Sequence, residues 1–212
     1  MALFGTFEDI TPDEVLSLVE DKEGVLEIGN DIRIYLKGGR IVGMEYKGRR
    51  LDNRTHYLAV IMDMLKDRES SFRFYRQQVE EFGEGVPVNS LLMEAIVKDR
   101  ATRNLSSSYV VEDDLPFQLD LSNRRRLSRI LSQNEDLELV EFLKDAYLLL
   151  KEGITPVELA ERLSLPLDWV KYMLYRLRIH RVVKVQRKEA DSGIVGKVRT
   201  IYNRLKFKFF GG

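Results

Sequence analysis

Hydrophobic residues in the first hundred positions alternate between helical and strand-like spacing. Apolar positions that recur every three or four residues predict helices at 12–19, 53–65 and 87–103. Alternating positions predict strands at 24–28 and 31–36, and 40–46 is predicted as the returning strand of a hairpin. Phe72 and Phe74 on one side predict a further strand at 71–75. Gly38 and Gly39 supply the two positive-φ positions that a two-residue hairpin turn requires. We therefore predict an N-terminal α+β domain, residues 1–103, with helices packed on an antiparallel sheet.

The pattern after residue 136 predicts a helix-turn-helix. Residues 137–152 form a first amphipathic helix, and Thr155, Pro156 and Glu158 then combine a capping box with proline at the first helical position. Leu165–Pro166 ends the second helix and begins a third, whose apolar side consists of Val170, Met173, Leu174 and Leu177. Alternating runs at 182–185 and 194–201 predict a hairpin. The C-terminal domain is thus predicted at 137–212.

Residues 104–136 are predicted to be a linker with a short basic helix. A serine run, an acidic run and Pro116 interrupt regular structure there, and Ser122 or Asn123 can cap the helix. The basic residues of this helix are Arg124, Arg125, Arg126 and Arg129. They can meet phosphate groups or form salt bridges, and we favour salt bridges to the nearby acidic residues Glu112, Asp113, Asp114 and Glu135.

Two resemblances follow from these patterns. The segments 3–10, 24–28, 32–41 and Phe72-Arg-Phe74, in this order of helices and strands, resemble the PATAN family over residues 3–103. That resemblance implies a bacterial protein-interaction domain without catalytic residues. Helix, turn, helix and basic hairpin over residues 137–203 resemble the winged helix-turn-helix fold, which implies DNA binding. His180 stands where such folds usually place glycine, and histidine tolerates the left-handed backbone better than most residues.

The formal net charge of zero conceals a gradient along the chain. Residues 1–104 carry a net charge of −4 and residues 105–170 carry −6, whereas residues 171–212 contain 12 Lys or Arg and 2 Asp or Glu, a net of +10. A basic end of this kind favours a polyanionic partner. The other interpretation is a solvated face balanced by the acidic middle of the same chain. The candidate DNA-binding residues are Lys171, Tyr172, Tyr175, Arg176, Arg178, Lys184, Arg187, Lys188, Lys197 and Arg199.

Signals for catalysis or metal binding are weak. The chain has no cysteine, its two histidines are His56 and His180, and Gly83-Glu-Gly85 lacks the remaining residues of a phosphate-binding loop. No apolar run approaches the length of a membrane span. We therefore expect a non-enzymatic cytoplasmic protein with no cofactor, no metal and no membrane partner.

Two functions stay open at this point. The first is a bacterial regulator whose N-terminal domain binds a protein and whose winged helix binds DNA. The second is a signalling or motility adaptor in which both domains bind proteins, because Tyr172, Tyr175 and Ile179 on the outer face of the third helix are unusual residues for reading base edges. Burial of these three side chains would argue against the DNA-reading role. A homodimer is a further expectation, since winged-helix proteins often read two half-sites as symmetric pairs, and the helix at 137–152 and the C-terminal tail are its candidate contacts.

Overall fold

The computed structural model describes residues 2–105, 111–132 and 136–186. The first part contains seven strands in one antiparallel sheet. These strands are β1 Ala2–Thr6, β2 Gly24–Ile28, β3 Ile32–Lys37, β4 Arg40–Tyr46, β5 Arg49–Leu51, β6 Ser71–Arg76 and β7 Val86–Pro87. Their order is β1-β6-β2-β3-β4-β5, with β7 paired to β4. The four predicted strands are confirmed, while β1, β5 and β7 were not predicted.

Three helices accompany this sheet: α1 Pro12–Val19, α2 Arg54–Met64 and α3 Val88–Leu105. Thr11 and Glu14 form a capping box at the start of α1, and the side chain of Asn53 caps α2. Helix α2 is buried on nearly all sides and packs on α3. A helix that is buried all round needs a protein layer on both of its faces.

The second part adds four helices and two short strands. They are β8 Phe117–Leu119, α4 Arg124–Ser132, α5 Leu137–Glu152, α6 Pro156–Leu163, α7 Leu167–Ile179 and β9 Val183–Val185. Thr155 and Glu158 form the predicted capping box of α6. Ser164 adopts a left-handed conformation, with φ of 50°, in the turn before α7. The apolar side predicted for α7 is buried. The mixed α+β class is therefore confirmed, and α6 and α7 are joined by a tight turn as predicted.

The surroundings of β9 differ from a simple hairpin. Strand β9 pairs antiparallel with β8, and Phe117 of β8 also bridges to Ile154 between α5 and α6. Strand β8, which precedes α5 in the chain, therefore lies between Ile154 and β9. The predicted returning strand at 194–201 lies outside the described residues.

The end of α7 corrects one expectation. His180 keeps a right-handed conformation with φ of −73°, and Arg181 is the left-handed residue with φ of 54°. The N–H of Val182 donates to the carbonyl of Leu177, and this hydrogen bond closes the end of the helix. The left-handed residue that follows the helix is therefore Arg181, one residue later than predicted.

One hydrophobic core runs through both parts of the chain. Buried residues of the sheet and of α2 and α3 belong to the same continuous cluster as those of α5, α6 and α7. Among the acidic residues expected to pair with the arginines of the linker, Asp113 pairs with Lys171, and Glu135 lies outside the described residues. Arg125 and Arg126 are exposed.

Candidate interaction surfaces around helix α7

The first turns of α7 are docked against α2. Trp169 is 3% exposed and packs beside Tyr172, with ring centroids 5.9 Å apart. A small cavity at this contact is lined by Ala59, Met62, Asp63 and Lys66 of the α2 region together with Pro166, Asp168, Trp169 and Tyr172. The Nζ of Lys66 lies 2.6 Å from Oδ2 of Asp168, so an ion pair closes the edge of the contact. In the N-terminal half of α7, Trp169 is thus buried and Tyr172 half-buried against protein, while Asp168 stays exposed at the edge of the contact.

Two candidate DNA-binding cations on α7 already have carboxylate partners. Lys171 pairs with Asp113. Arg176 pairs with Asp136, lies 3.6 Å from Glu138, and has its guanidinium 5.4 Å from the ring centre of Tyr172. Tyr175 is half-buried and packs against the core. Lys171, Arg176 and Tyr175 therefore make their contacts with other residues of the same chain.

Other polar contacts join the two parts at the same seam. Nη1 of Arg49 donates to the carbonyl of Leu163 at 2.7 Å, and Lys98 of α3 pairs with Glu138 of α5. Nε2 of His56 lies 2.9 Å from Oδ2 of Asp145, across the contact between α2 and α5. The place of His56 at the start of a helix beside Arg54 predicted a solvated or capping role, whereas the side chain is buried. No sequence signal distinguishes it as a residue of the seam.

The surroundings of His56 select one tautomer of its neutral ring. The side-chain amide of Asn53 donates to Nδ1 at 2.9 Å, because the amide oxygen of Asn53 accepts from the backbone N–H of His56. This leaves the proton on Nε2, the nitrogen that faces Asp145. Burial lowers the pKa of His56, and the opposing attraction of Asp145 does not cancel that effect.

The C-terminal end of α7 is different, because its basic residues are exposed. Arg178, Arg181 and Lys184 border an open cleft of about 460 Å³ together with Asp120 and Asn123. None of these three cations forms an ion pair with another described residue. Ile179 is also exposed. The remaining candidate residues, Arg187, Lys188, Lys197 and Arg199, lie outside the described part of the chain.

A third surface, the sheet face that points away from the helices, was not anticipated from the sequence. Strand register places Arg73, Glu27, Arg33, Glu45 and Arg50 in one row across five strands, with alternating charge. Arg33 lies 3.1 Å from Glu27 and 3.5 Å from Glu45, and Arg50 lies 3.6 Å from Glu45. We call these five residues the outer-face row. Tyr35 and Tyr75 occupy the neighbouring row, on either side of Val25.

The period-two pattern of the strands carried the signal for this surface. Four of the five residues of the outer-face row lie between buried apolar neighbours, as in Phe72-Arg73-Phe74, and the exception is Arg50, which follows the exposed Arg49. The alternation identifies a solvent-facing side, but which strands are neighbours depends on the sheet order.

Comparisons with known proteins returned no matching family model, no similar curated protein and no similar solved structure. Within residues 2–105, 111–132 and 136–186, no helix is both long and apolar enough to cross a membrane. The same residues contain no group of three or more His, Asp or Glu side chains arranged to hold a metal ion.

Proposed function

We propose that this protein is a regulatory adaptor that acts by binding another protein, and that its helix-turn-helix is a structural part of one body with the N-terminal domain. The observation that carries the proposal is the docking of α7 on α2. Helix-turn-helix proteins contact base edges with the first residues of the second helix of the motif. Here those residues are Asp168, Trp169, Lys171 and Tyr172. Asp168 and Lys171 pair with Lys66 and Asp113, and Trp169 and Tyr172 line a cavity together with residues of α2.

The outer face of the sheet is the surface that we assign to the protein partner. Arginine and tyrosine are enriched at protein interfaces, and Arg33, Arg50, Arg73 and Tyr75 share this face. A face with both signs of charge favours a partner with a matching alternating pattern over a uniformly anionic one. The resemblance to the PATAN family, which implies protein interaction, supports the same assignment.

DNA binding is the second candidate, and one observation favours it. Arg178, Arg181 and Lys184 have no ion-pair partners among the described residues, and the basic C-terminal segment begins beside them. Such a patch can neutralise DNA phosphates without base readout, and that binding would weaken steeply with salt.

Fluorescence anisotropy with a generic duplex across a salt series separates the two candidates. The adaptor proposal expects the full chain to bind weakly, with a Kd no tighter than about 10⁻⁶ M near physiological salt. It also expects Lys171→Gln and Tyr172→Phe to leave any binding unchanged. Tight binding that either substitution abolishes would refute the adaptor. Loss only in a triple Gln variant of Arg178, Arg181 and Lys184 would indicate phosphate contact by the end of α7.

The partner is sought by affinity capture from cells of the source organism and then quantified by titration with the purified partner. Arg33→Glu turns the centre of the outer-face row into three adjacent acidic residues, and we expect about tenfold weaker binding. Lys144→Glu makes the same charge change on the exposed side of α5 and serves as the matched control. Equal affinity of both variants would refute the assigned surface, and absence of any specific partner would refute the adaptor itself.

A further inference from the structure

Strand β1 leaves one edge of the sheet open. The N–H of Phe7 donates to the carbonyl of Ser70. Because every second residue of an antiparallel strand bonds to the same neighbour, Leu3 and Gly5 also direct their backbone groups toward β6. The backbone groups of Ala2, Phe4 and Thr6 consequently point away from the sheet. The carbonyl of Thr6 accepts from Asp9, and the others have no partner among the described residues.

The residues of this strand lack the usual protection of an edge. Strand β1 reads Ala-Leu-Phe-Gly-Thr, with no charge, no proline and no bulge. Its central residue, Phe4, is 76% exposed, which makes it the most exposed large hydrophobic side chain in the described part of the chain. The opposite edge, β5, has three residues, and Arg49 at its start is bound to the end of α6.

The strand is complementary to itself. When two copies of β1 pair antiparallel about a two-fold axis at Phe4, the two Phe4 residues exchange their outward backbone hydrogen bonds. Leu3 then stands opposite Gly5 of the other copy, on the helix side of the sheet. Side chains approach most closely at such a non-hydrogen-bonded pair, and glycine leaves room for leucine. On the outer side, each Phe4 ring covers the other.

The charges near the edge permit this pairing. Arg73 stands beside Phe4 in the register of β1 and β6. Across the two-fold axis the two Arg73 residues would lie three strand spacings apart, about 14 Å, which exceeds the screening length of about 10 Å at 0.1 M salt. The uncharged Phe4 pair separates them.

We propose that the protein forms a symmetric homodimer through antiparallel pairing of β1 with β1 of a second copy, centred on Phe4. The sheets of both copies then form one continuous sheet, and the two outer faces lie side by side. A five-residue strand pair buries less area than the ~1,200 Å² typical of stable complexes, so we expect a concentration-dependent monomer–dimer equilibrium. The proposal does not depend on which function the protein has.

Sedimentation velocity of the full chain over micromolar to submillimolar concentrations tests the dimer. The residue on the two-fold axis faces itself, so Phe4→Glu and Phe4→Lys each place like charges directly opposite and are expected to raise the dimer Kd by about tenfold or more. An equimolar mixture of the two variants pairs opposite charges and is expected to restore a heterodimer. Leu148→Glu on α5, where leucine is 70% exposed, is the control and should dimerise like the unchanged protein.

The outcomes decide the proposal in either direction. Weakened self-association of both single variants, together with recovery in the mixture, supports pairing centred on Phe4. A monomer at every concentration refutes it, and so does a dimer that survives both Phe4 substitutions, a mixture that fails to associate, or loss of the dimer in Leu148→Glu. Circular dichroism and thermal melting confirm that each variant is folded, which the exposure of Phe4 makes expected.

Discussion

The docking of α7 on α2 predicts a specific effect of truncating Met62. This side chain is 5% exposed, belongs to α2, and lines the cavity that also borders Trp169. Trp169 is the only tryptophan of the chain, so its fluorescence reports on this contact. Met62→Ala removes apolar atoms from the contact while leaving the reporter in place.

The magnitude follows from burial. Burying a methionine side chain stabilises a protein by roughly 1.5–3 kcal/mol, and incomplete collapse of the resulting cavity adds to the cost of truncation. We therefore expect a loss of about 2–3 kcal/mol in the free energy of unfolding, or about 5–10 °C in Tm for a chain of this size.

Urea unfolding followed by Trp169 fluorescence and by far-UV circular dichroism measures this loss. Because one core runs through both parts, we expect the two signals to change at the same urea concentration in the unchanged protein, and both midpoints to fall together in Met62→Ala. Met93→Ala is the matched control, because Met93 is 61% exposed on α3 and its truncation should shift stability by less than about 0.5 kcal/mol.

Two results would refute this reasoning. If fluorescence and circular dichroism separate into two transitions in the unchanged protein, the parts unfold independently and the contact is weak. If Met62→Ala behaves like Met93→Ala, the side chain contributes nothing to a shared core. Either result would also remove the main support for the adaptor proposal.

Two further substitutions test the seam and the turn. Burial lowers the pKa of His56, so the unfolded chain takes up the proton first as pH falls below about 6.5. The free energy of unfolding should therefore fall from pH 7 toward pH 5.5, and this decline should be shallower in His56→Gln; an unchanged slope in chemical unfolding would contradict the assignment. Ser164→Gly removes the side chain from a left-handed position and should raise the free energy of unfolding by about 0.5–1 kcal/mol, with Ser128→Gly, an exposed position inside helix α4, as a control that should lower it.

Local sequence patterns predicted most helices and strands, because the periodicity and the capping residues that specify such an element lie within a few residues of one another. Apolar residues recur with a period of two in residues 31–36 and with a period of 3.6 in α5, because each element buries one side. The capping box of Thr155 and Glu158 is likewise complete within four residues. Strand β1 was not predicted because Phe4 is apolar although it is exposed. Buried and exposed positions of this strand therefore do not differ in polarity.

The docking of α7 required information from a distant segment, yet α2 carried a signal for it. Its sequence, Arg-Thr-His-Tyr-Leu-Ala-Val-Ile-Met-Asp-Met, has apolar residues on every side rather than on one stripe. A helix of that kind is covered on both faces, so a second layer had to lie against it. The sequence does not specify which segment supplies that layer. Trp169, Tyr172 and Asp168 supply part of it, on the very side of α7 that DNA would otherwise meet.

The fold separates the basic residues of the C-terminal region into those paired with carboxylates and those that are exposed. Composition alone does not show this division. Carboxylates that precede α6 neutralise the first basic residues of the C-terminal excess, since Lys171 pairs with Asp113 and Arg176 with Asp136. The basic character that remains available within the described residues begins at Arg178 and continues toward the C-terminus. A polyanion would therefore approach the end of α7 rather than its beginning. That asymmetry is why substitutions at Lys171 and at Arg178 must be compared before any DNA binding is attributed to a helix-turn-helix.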